Sequence, residues 1–332
     1  MIQIIAEIAQ AHDGSLGLLH SYIDVLSKAG VDAVKFQTHI AEAESSEFEL
    51  FRVNFSYVDA TRFDYWKRME FTKEQWAGIK QHCDEVGVEF MSSPFSIAAI
   101  ELLEQLQVKR YKVGSGEVSN LLLLERMATT GKPVILSSGM SDWSELDIAV
   151  GFLRDKNVDV SILQCTTAYP TPPEKWGLSV IQKLKERFGI PVGFSDHSGT
   201  TTACLAAAAL GAEILEFHAV FDRTMFGPDA KASLEIDEIA QLVTGVRQIE
   251  KALQPYTAKE NASSFSELKV MFGKSLAINK AMNVGQTIQL CDLESKKPAN
   301  KGIPASDFRK VIGKKLCVEK GQWSFLNWTD MD

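Results

Sequence analysis

The chain has 332 residues, 45% hydrophobic and 23% charged, with 22 glycines and 10 prolines. That apolar content supports a sizeable core and excludes wholesale disorder, collagen-like repeats and low complexity. Thirty-five Lys and Arg against 43 Asp and Glu leave a net charge of −8, which argues against the broad positive field of a nucleic-acid binder.

In chain order the pattern alternates short β-branched runs with amphipathic stretches. A strand is expected near 4–9, a helix near 15–29 and a strand near 31–38, followed by an irregular segment, 40–71. Helix and strand then alternate: 72–86, 88–93, 96–106, 110–114, 119–130, 133–138, 143–155, 160–165, 176–188, 190–195, 199–210, 212–219 and 235–253. Local signals support the helices. Thr72 followed by Gln75 makes a capping box, and Gly30 stands where the first helix must turn. Pro133 can only begin its strand. Eight strands, each followed by a helix, predict an α/β fold closed into a (β/α)8 TIM barrel, with an open doubly wound sheet as the competing arrangement.

The segment 40–71 is acidic and aromatic, with Glu42, Glu44, Glu47, Phe51, Phe55, Tyr57, Phe63, Tyr65 and Trp66. It is expected to cover the barrel mouth, to pack against a second subunit, or to close on its own small hydrophobic cluster. Domain boundaries follow from composition: a barrel over 1–255, a Ser-rich polar linker over 256–271 and a small domain over 272–332. In that last domain the short segments are Lys274–Ile278, Thr287–Ile288, Lys314–Val318 and Trp323–Phe325.

The longest apolar runs fall far short of the roughly 18 residues that a membrane span needs. Met1 to Glu7 lacks a basic leader and reads directly into a strand. The five cysteines, Cys83, Cys165, Cys204, Cys291 and Cys317, are widely separated and form no CxxC pair. A thiolate zinc cage or disulfide scaffold is not expected, and a reducing cytoplasm fits best.

Polar residues collect where the expected strands end. They are Glu7; Lys35 and Gln37; Ser92 and Ser93; Lys112, Ser115 and Glu117; Ser137 and Ser138; Thr166 and Tyr169; Ser195, Asp196 and His197; Glu216 and His218. In a barrel these ends meet at one face, where active sites are built. Two lysines with several hydroxyls there suit an anionic ligand. Gly114-Ser115-Gly116-Glu117 adds backbone N–H donors if its turn leads into a helix. His197 and His218 are the best pair for a divalent cation, with a catalytic or a hydrogen-bonded core histidine as open alternatives. Glu7 and Glu117 are candidate acid/base groups or ion-paired scaffold residues, and Asp229 either binds a polyol hydroxyl or caps a turn. Ser195-Asp196-His197 is no hydrolase triad: its members are sequential and no GxSxG elbow accompanies them.

These residues carry a family pattern. Glu7-Ile8-Ala9-Gln10-Ala11-His12-Asp13-Gly14, Val34-Lys35-Phe36-Gln37-Thr38 and Lys112-Val113-Gly114-Ser115-Gly116-Glu117 are three of its stretches. Leu136-Ser137-Ser138-Gly139-Met140, Gln164-Cys165-Thr166-Thr167-Ala168-Tyr169-Pro170 and Phe194-Ser195-Asp196-His197 are three more. Together they resemble the sialic acid synthases, the phosphoenolpyruvate-dependent nonulosonic acid synthases, over almost the whole chain, including a C-terminal antifreeze-like (SAF) domain.

The resemblance implies condensation of phosphoenolpyruvate with the open-chain aldehyde of an N-acylated hexosamine, N-acetylmannosamine or a modified sugar. It implies a divalent cation, Mn2+ or Mg2+, on His197 and His218. Lys35, Lys112, Ser115, Ser137 and Ser195 match phosphoenolpyruvate contacts, and Thr167 stands at a further phosphate-side position. Glu7 and Glu117 match carboxylates near the phosphate and the reacting carbons, while Gln37, Tyr169 and Asp229 match the sugar side. Lys35 and Tyr169 join the two glutamates in the expected catalytic set.

Some positions depart from the family. Ala11-His12-Asp13-Gly14 replaces an asparagine-histidine-asparagine-glycine stretch, Thr167 replaces asparagine or serine, and Ala230 replaces histidine. Lys297 lies nearest the arginine that the family brings across a domain-swapped homodimer to the sugar's N-acyl group. Lysine lacks arginine's rigid fork. The alternatives are a barrel aldolase acting on another sugar and a noncatalytic carbohydrate-binding scaffold.

Overall fold

The computed structural model describes residues 1–51, 53 and 55–332. Two compact units are present, Met1–Gln254 and Pro255–Asp332.

The first unit begins with β1 (Gln3–Glu7), α1 (Leu16–Ala29), β2 (Ala33–Thr38), α2 (Ala41–Glu44), α3 (Arg62–Met69) and α4 (Lys73–Val86). It continues through β3 (Glu89–Pro94), α5 (Ile97–Gln105), β4 (Tyr111–Val113), α6 (Leu121–Ala128), β5 (Val134–Ser137), α7 (Trp143–Asp155) and β6 (Val160–Cys165). The unit ends with α8 (Leu178–Phe188), β7 (Val192–Asp196), α9 (Thr201–Ala209), β8 (Ile214–Val220), β9 (Leu234–Glu235) and α10 (Ile236–Ala252). The main strands pair in parallel in the order β3-β2-β1-β8-β7-β6-β5-β4, with β9 added beside β8. β4 lies next to β3 at the seam, where the described residues form no hydrogen-bonded ladder. The result is a nearly closed eight-stranded parallel barrel wrapped in helices.

Local chemistry explains the helix ends. Ser15 accepts the Leu18 N–H at the start of α1, and Gly30 closes the helix at φ +87°, a conformation costly for any residue with a Cβ. Thr72 and Gln75 form the expected capping box of α4. The irregular segment contains two helices that periodicity did not announce. α3 has its own capping box, Thr61 with Asp64, and packs Tyr65, Trp66 and Met69 against Ala41, Phe51, Phe55 and Phe63.

Two cores result from the period-2 strand geometry. Outward-facing residues join the helices in the main core, while Ile5, Ala33, Met91, Ile135, Leu163 and Ile214 fill the barrel interior. Two residues further along each of those strands, in the same inward phase, stand Glu7, Lys35, Ser93, Ser137, Cys165 and Glu216. The interior therefore changes from apolar to polar within one layer. At the opposite end Arg247 binds both carboxylate oxygens of Asp32, at 2.9 and 2.8 Å, and the Ile2 carbonyl, tying α10 to the start of the sheet.

The second unit holds α11 (Ser266–Phe272), β10 (Ser275–Ile278), β11 (Leu293–Lys296) and α12 (Phe308–Val311). β10 and β11 pair antiparallel around a core that includes Leu276, Ile278, Ile288, Leu316 and Leu326. Thr287, Lys315 and Phe325 join only as isolated bridges rather than as strands. The segment 256–271 is more ordered than its polar composition suggests: it carries two short 3-10 turns and most of α11.

Candidate active site

A cavity of about 370 Å³ opens at the C-terminal ends of the barrel strands. It is lined by Glu7, Lys35, Gln37, Lys112, Ser115, Glu117, Ser137, Thr167, Tyr169, Ser195, His197, His218 and Asp229, the whole barrel part of the expected site. Lys297 belongs to the second unit, where its ammonium lies 5.0 Å from the Phe272 ring centre.

Strand register assembles the floor. Glu7 on β1 pairs with Lys35 on β2 and His218 on β8, and Ser195 on β7 pairs with Glu216. The Lys35 ammonium reaches Glu7 at 2.8 Å and Glu216 at 3.5 Å. Lys112 reaches Glu216 at 3.3 Å and donates to the Ser137 hydroxyl at 2.6 Å. Ser195 donates to the same Glu216 oxygen at 3.1 Å.

Burial and charge pull these groups in opposite directions. Burial alone would raise the Glu7 pKa, but Lys35, His218 and Lys112 hold it well below the usual carboxylate range. Burial alone would lower Lys35, yet Glu216 and Glu7 keep it raised. At Lys112 burial wins over Glu216 and the pKa falls. The floor thus presents two buried amines of unequal basicity to an anionic ligand.

His197 and His218 face one another with ring centres 5.3 Å apart. His197 Nδ1 lies 3.0 Å from the Thr166 carbonyl, which can only accept, so Nδ1 donates. Its Nε2 is 3.1 Å from the Tyr169 hydroxyl, and the two rings stack with centres 4.1 Å apart. His218 Nε2 lies 3.4 Å from Glu7, and burial lowers its pKa despite that carboxylate. Burial would also lower His197, but Cys165 and the Thr166 carbonyl hold it up at about 9. Among the described residues no group of three or more His, Cys, Asp or Glu side chains is placed to hold a metal ion.

Glu117 sits on a 3-10 turn, Ser115–Glu117, and accepts from Asn120 at 2.8 Å. Gly139 donates its N–H to Ser115 Oγ at 3.1 Å. A Cβ at Gly139 would lie 2.6 Å from both Ser115 Oγ and Thr167 Oγ1, so close approach requires glycine there. The segment between β2 and α4 supplies the upper wall through Glu44, Glu49, Phe51, Phe55, Arg62, Tyr65 and Trp66. Thus it lines the mouth and also has its own hydrophobic cluster. Arg68 anchors it, binding Asp59 at 2.8 Å and Asp13 at 2.5 Å.

Sequence reading placed Glu216 at a strand end but gave it no role, and it gave none to Cys165, Gln10, His39 or Glu44. Inward period-2 phase identifies Glu216 and Cys165. Gln10, His39 and Glu44 come from loops and a short helix, where no periodicity marks them.

A parallel barrel with buried lysines, serines and paired imidazoles at its strand ends defines an enzyme-like site for an anionic substrate. The NeuB family model matches residues 22–257, and the chain belongs to that family. It is 33% identical over 317 residues to the N,N'-diacetyllegionaminic acid synthase of Campylobacter jejuni, covering 94% of each chain. It is 34% identical over 318 residues to the human N-acetylneuraminate-9-phosphate synthase, covering 95% of this chain and 88% of that one. The crystal structure of the N-acetylneuraminic acid synthetase of Leptospira borgpetersenii superposes with a TM-score of 0.70 at 33% identity, over 81% of this chain and 92% of the other.

Proposed function

We propose that this protein condenses phosphoenolpyruvate with the open-chain aldehyde of an N-acylated hexosamine, N-acetylmannosamine or a modified sugar, releasing phosphate and a nonulosonic 2-keto acid. The observation that carries the reading is the buried Lys35–Glu7 and Lys112–Glu216 floor lying beside the His197–His218 pair in one cavity. Family membership and the relatives' activities support it.

Lys35, Lys112, Ser115, Ser137 and Ser195 bind the anionic groups of phosphoenolpyruvate, with Thr167 on the phosphate side. Gln37 and Asp229 hydrogen-bond the sugar. His197 and His218 fit a divalent cation, because the Thr166 contact leaves His197 with an Nε2 lone pair in the cavity when that imidazole is neutral. Held by His197 and His218, a Mn2+ or Mg2+ ion would supply Lewis-acid polarisation of the aldehyde. Tyr169 holds the His197 ring plane by stacking. Glu7, kept ionised, stabilises positive charge developing at C2 as C3 forms the new bond. Glu117 takes the proton from the water that captures C2, and Lys35 and Lys112 hold the departing phosphate.

The antifreeze-like character of residues 272–332, the preceding linker and the domain-swapped homodimer belong to the same proposal, with Lys297 directed to the N-acyl group. No helix among the described residues is long and apolar enough to cross a membrane. A cytoplasmic location completes the reading.

The test is phosphate release from phosphoenolpyruvate across N-acylated hexosamines, with manganese or with EDTA. Release that needs both sugar and metal supports the synthase. Lys112, pushed down by burial, favours one second reading, since a Schiff-base aldolase needs such an amine. Borohydride trapping on Lys112 would replace the synthase with that aldolase. Binding without turnover on any sugar would leave a carbohydrate-binding scaffold.

A further inference from the structure

Three polar side chains, Gln37, Gln10 and His39, run from the floor of the cavity to its wall, and a carboxylate anchors each end. At the inner end Gln37 Nε2 donates to Glu7 Oε1 at 2.7 Å. At the outer end His39 Nδ1 lies 2.6 Å from Glu44 Oε1, whose other oxygen accepts the Ile40 N–H at 3.3 Å. Between them Gln10 Nε2 donates to Gln37 Oε1 and meets His39 Nε2 at 2.9 Å.

The anchors determine how both amides of the run are turned. A carboxylate accepts only, so Gln37 must turn its NH2 towards Glu7 and its oxygen towards Gln10. Gln10 must answer that oxygen with its own NH2. Its second hydrogen then points at His39 Nε2, 2.9 Å away, which is a lone pair in the neutral ring because Nδ1 faces the acceptor-only Glu44 carboxylate; the same Nε2 also lies 3.2 Å from Gln37 Oε1. Neutral His39 accordingly carries its proton on Nδ1 and donates it to Glu44.

Packing fixes the ring that makes this work. His39 is sandwiched between Trp66, centres 4.0 Å apart, and Phe95, centres 4.7 Å apart, with interplanar angles of 17° and 6°. His39 and Gln10 are 4% and 6% exposed, so water is a poor substitute for either partner.

We infer that Gln10, His39 and Glu44 are positioning residues that lock the Gln37 amide, leaving its second N–H as a donor for the sugar. Gln37 is then unable to offer its oxygen to the substrate. It selects a sugar bearing an acceptor oxygen at that point, a hydroxyl or an acyl carbonyl, over one with an amine hydrogen or a deoxy carbon. The inference deepens the proposed condensation and depends on it for the identity of the ligand.

His39→Phe keeps the stack and removes the relay, while Glu44→Gln keeps an acceptor and Glu44→Leu removes it. With a sugar that supports turnover, His39→Phe and Glu44→Leu are expected to raise the sugar KM about 10-fold, the scale of one lost buried hydrogen bond. The phosphoenolpyruvate KM stays within about twofold, and Glu44→Gln remains close to the parent. Equal rises in both KM values, or a Glu44→Gln variant as impaired as Glu44→Leu, overturn the inference. Histidine-selective 15N NMR of the full chain gives a readout independent of turnover. Neutral His39 in the Nδ1–H form supports the relay, and the Nε2–H form overturns it even if every sugar is inert and the condensation itself has failed.

Discussion

Lys112 and Glu216 form an ion pair of 3.3 Å in which the side chains are only 2% and 3% exposed. The same Glu216 oxygen also faces Lys35 and Ser195, while its other oxygen is buried without a partner among the described residues. Removing one member of such a pair leaves a charge stranded in the interior, at about 3 kcal/mol. Glu216→Gln is therefore expected to lower the Tm of the free protein. An anion would offset that excess positive charge. Saturating phosphoenolpyruvate should raise the Tm of the variant more than that of the parent, and equal shifts would refute this account of the floor.

His12 predicts an acid-side loss of stability. It is 3% exposed, accepts the Gly14 N–H at 3.0 Å and packs on Phe71. Burial above all, with the Arg68 guanidinium adding to it, pushes its pKa down to about 3. The unfolded value is near 6.5, so the unfolded chain binds the extra proton between these limits. The stabilising contribution is complete above about pH 6.5 and declines as pH falls towards 3, by at most about 1.4 kcal/mol per unit. Denaturant unfolding of the parent and His12→Gln at pH 7 and pH 5 reads the difference. The variant should lose less stability across that interval, and parallel losses would remove His12 as the source.

The barrel was legible because each strand carries two signals at once. Runs such as Val134–Leu136 are buried on both faces, and Ser137 then breaks the run at the inward phase. Strand limits consequently fall within about two residues of expectation. The wall was less legible. α3 offers Thr61 and Asp64 as a capping box, but at only eight residues it barely establishes a period inside an aromatic-rich segment. Glu216 looked like any strand-end carboxylate until register set it opposite Ser195. The His39 relay joins groups up to 37 positions apart, from Glu7 to Glu44, on strands, loops and a short helix, a relationship that no local pattern encodes. In the second unit, single bridges such as Thr287 with Lys315 are too short for any period to emerge.

Gly139 separates a packing effect from a general loss of stability. An added methyl group would sit 2.6 Å from Ser115 Oγ and Thr167 Oγ1 and 3.1 Å from Cys165 Sγ. Those side chains would have to yield, at about 1–3 kcal/mol. Since Ser115 and Thr167 lie on the proposed phosphate side, Gly139→Ala should raise the phosphoenolpyruvate KM by about 10-fold or more. Gly78 in α4 has nothing within 4 Å of the same added atom, and Gly78→Ala should stabilise the protein by up to about 1 kcal/mol. A Gly139→Ala variant with a normal phosphoenolpyruvate KM would show that the serine and threonine do not hold the phosphate.

The imidazole pair gives the sharpest division between ligand and support. His218 and His197 are the proposed donors to the divalent cation, whereas Tyr169 supports them, stacking on His197, packing edge-on against His218 and bringing its hydroxyl near His197 Nε2. Loss of a supporting group typically costs about 10–100-fold in metal affinity, and loss of a donor costs more. Manganese titration by calorimetry should therefore rank His218→Ala below Tyr169→Phe, with phosphate release following the same order. EDTA should abolish release in the parent, and added manganese should restore it. If His218→Ala bound manganese as tightly as the parent, the cation would have to sit elsewhere, and the aldehyde would lose its proposed activator.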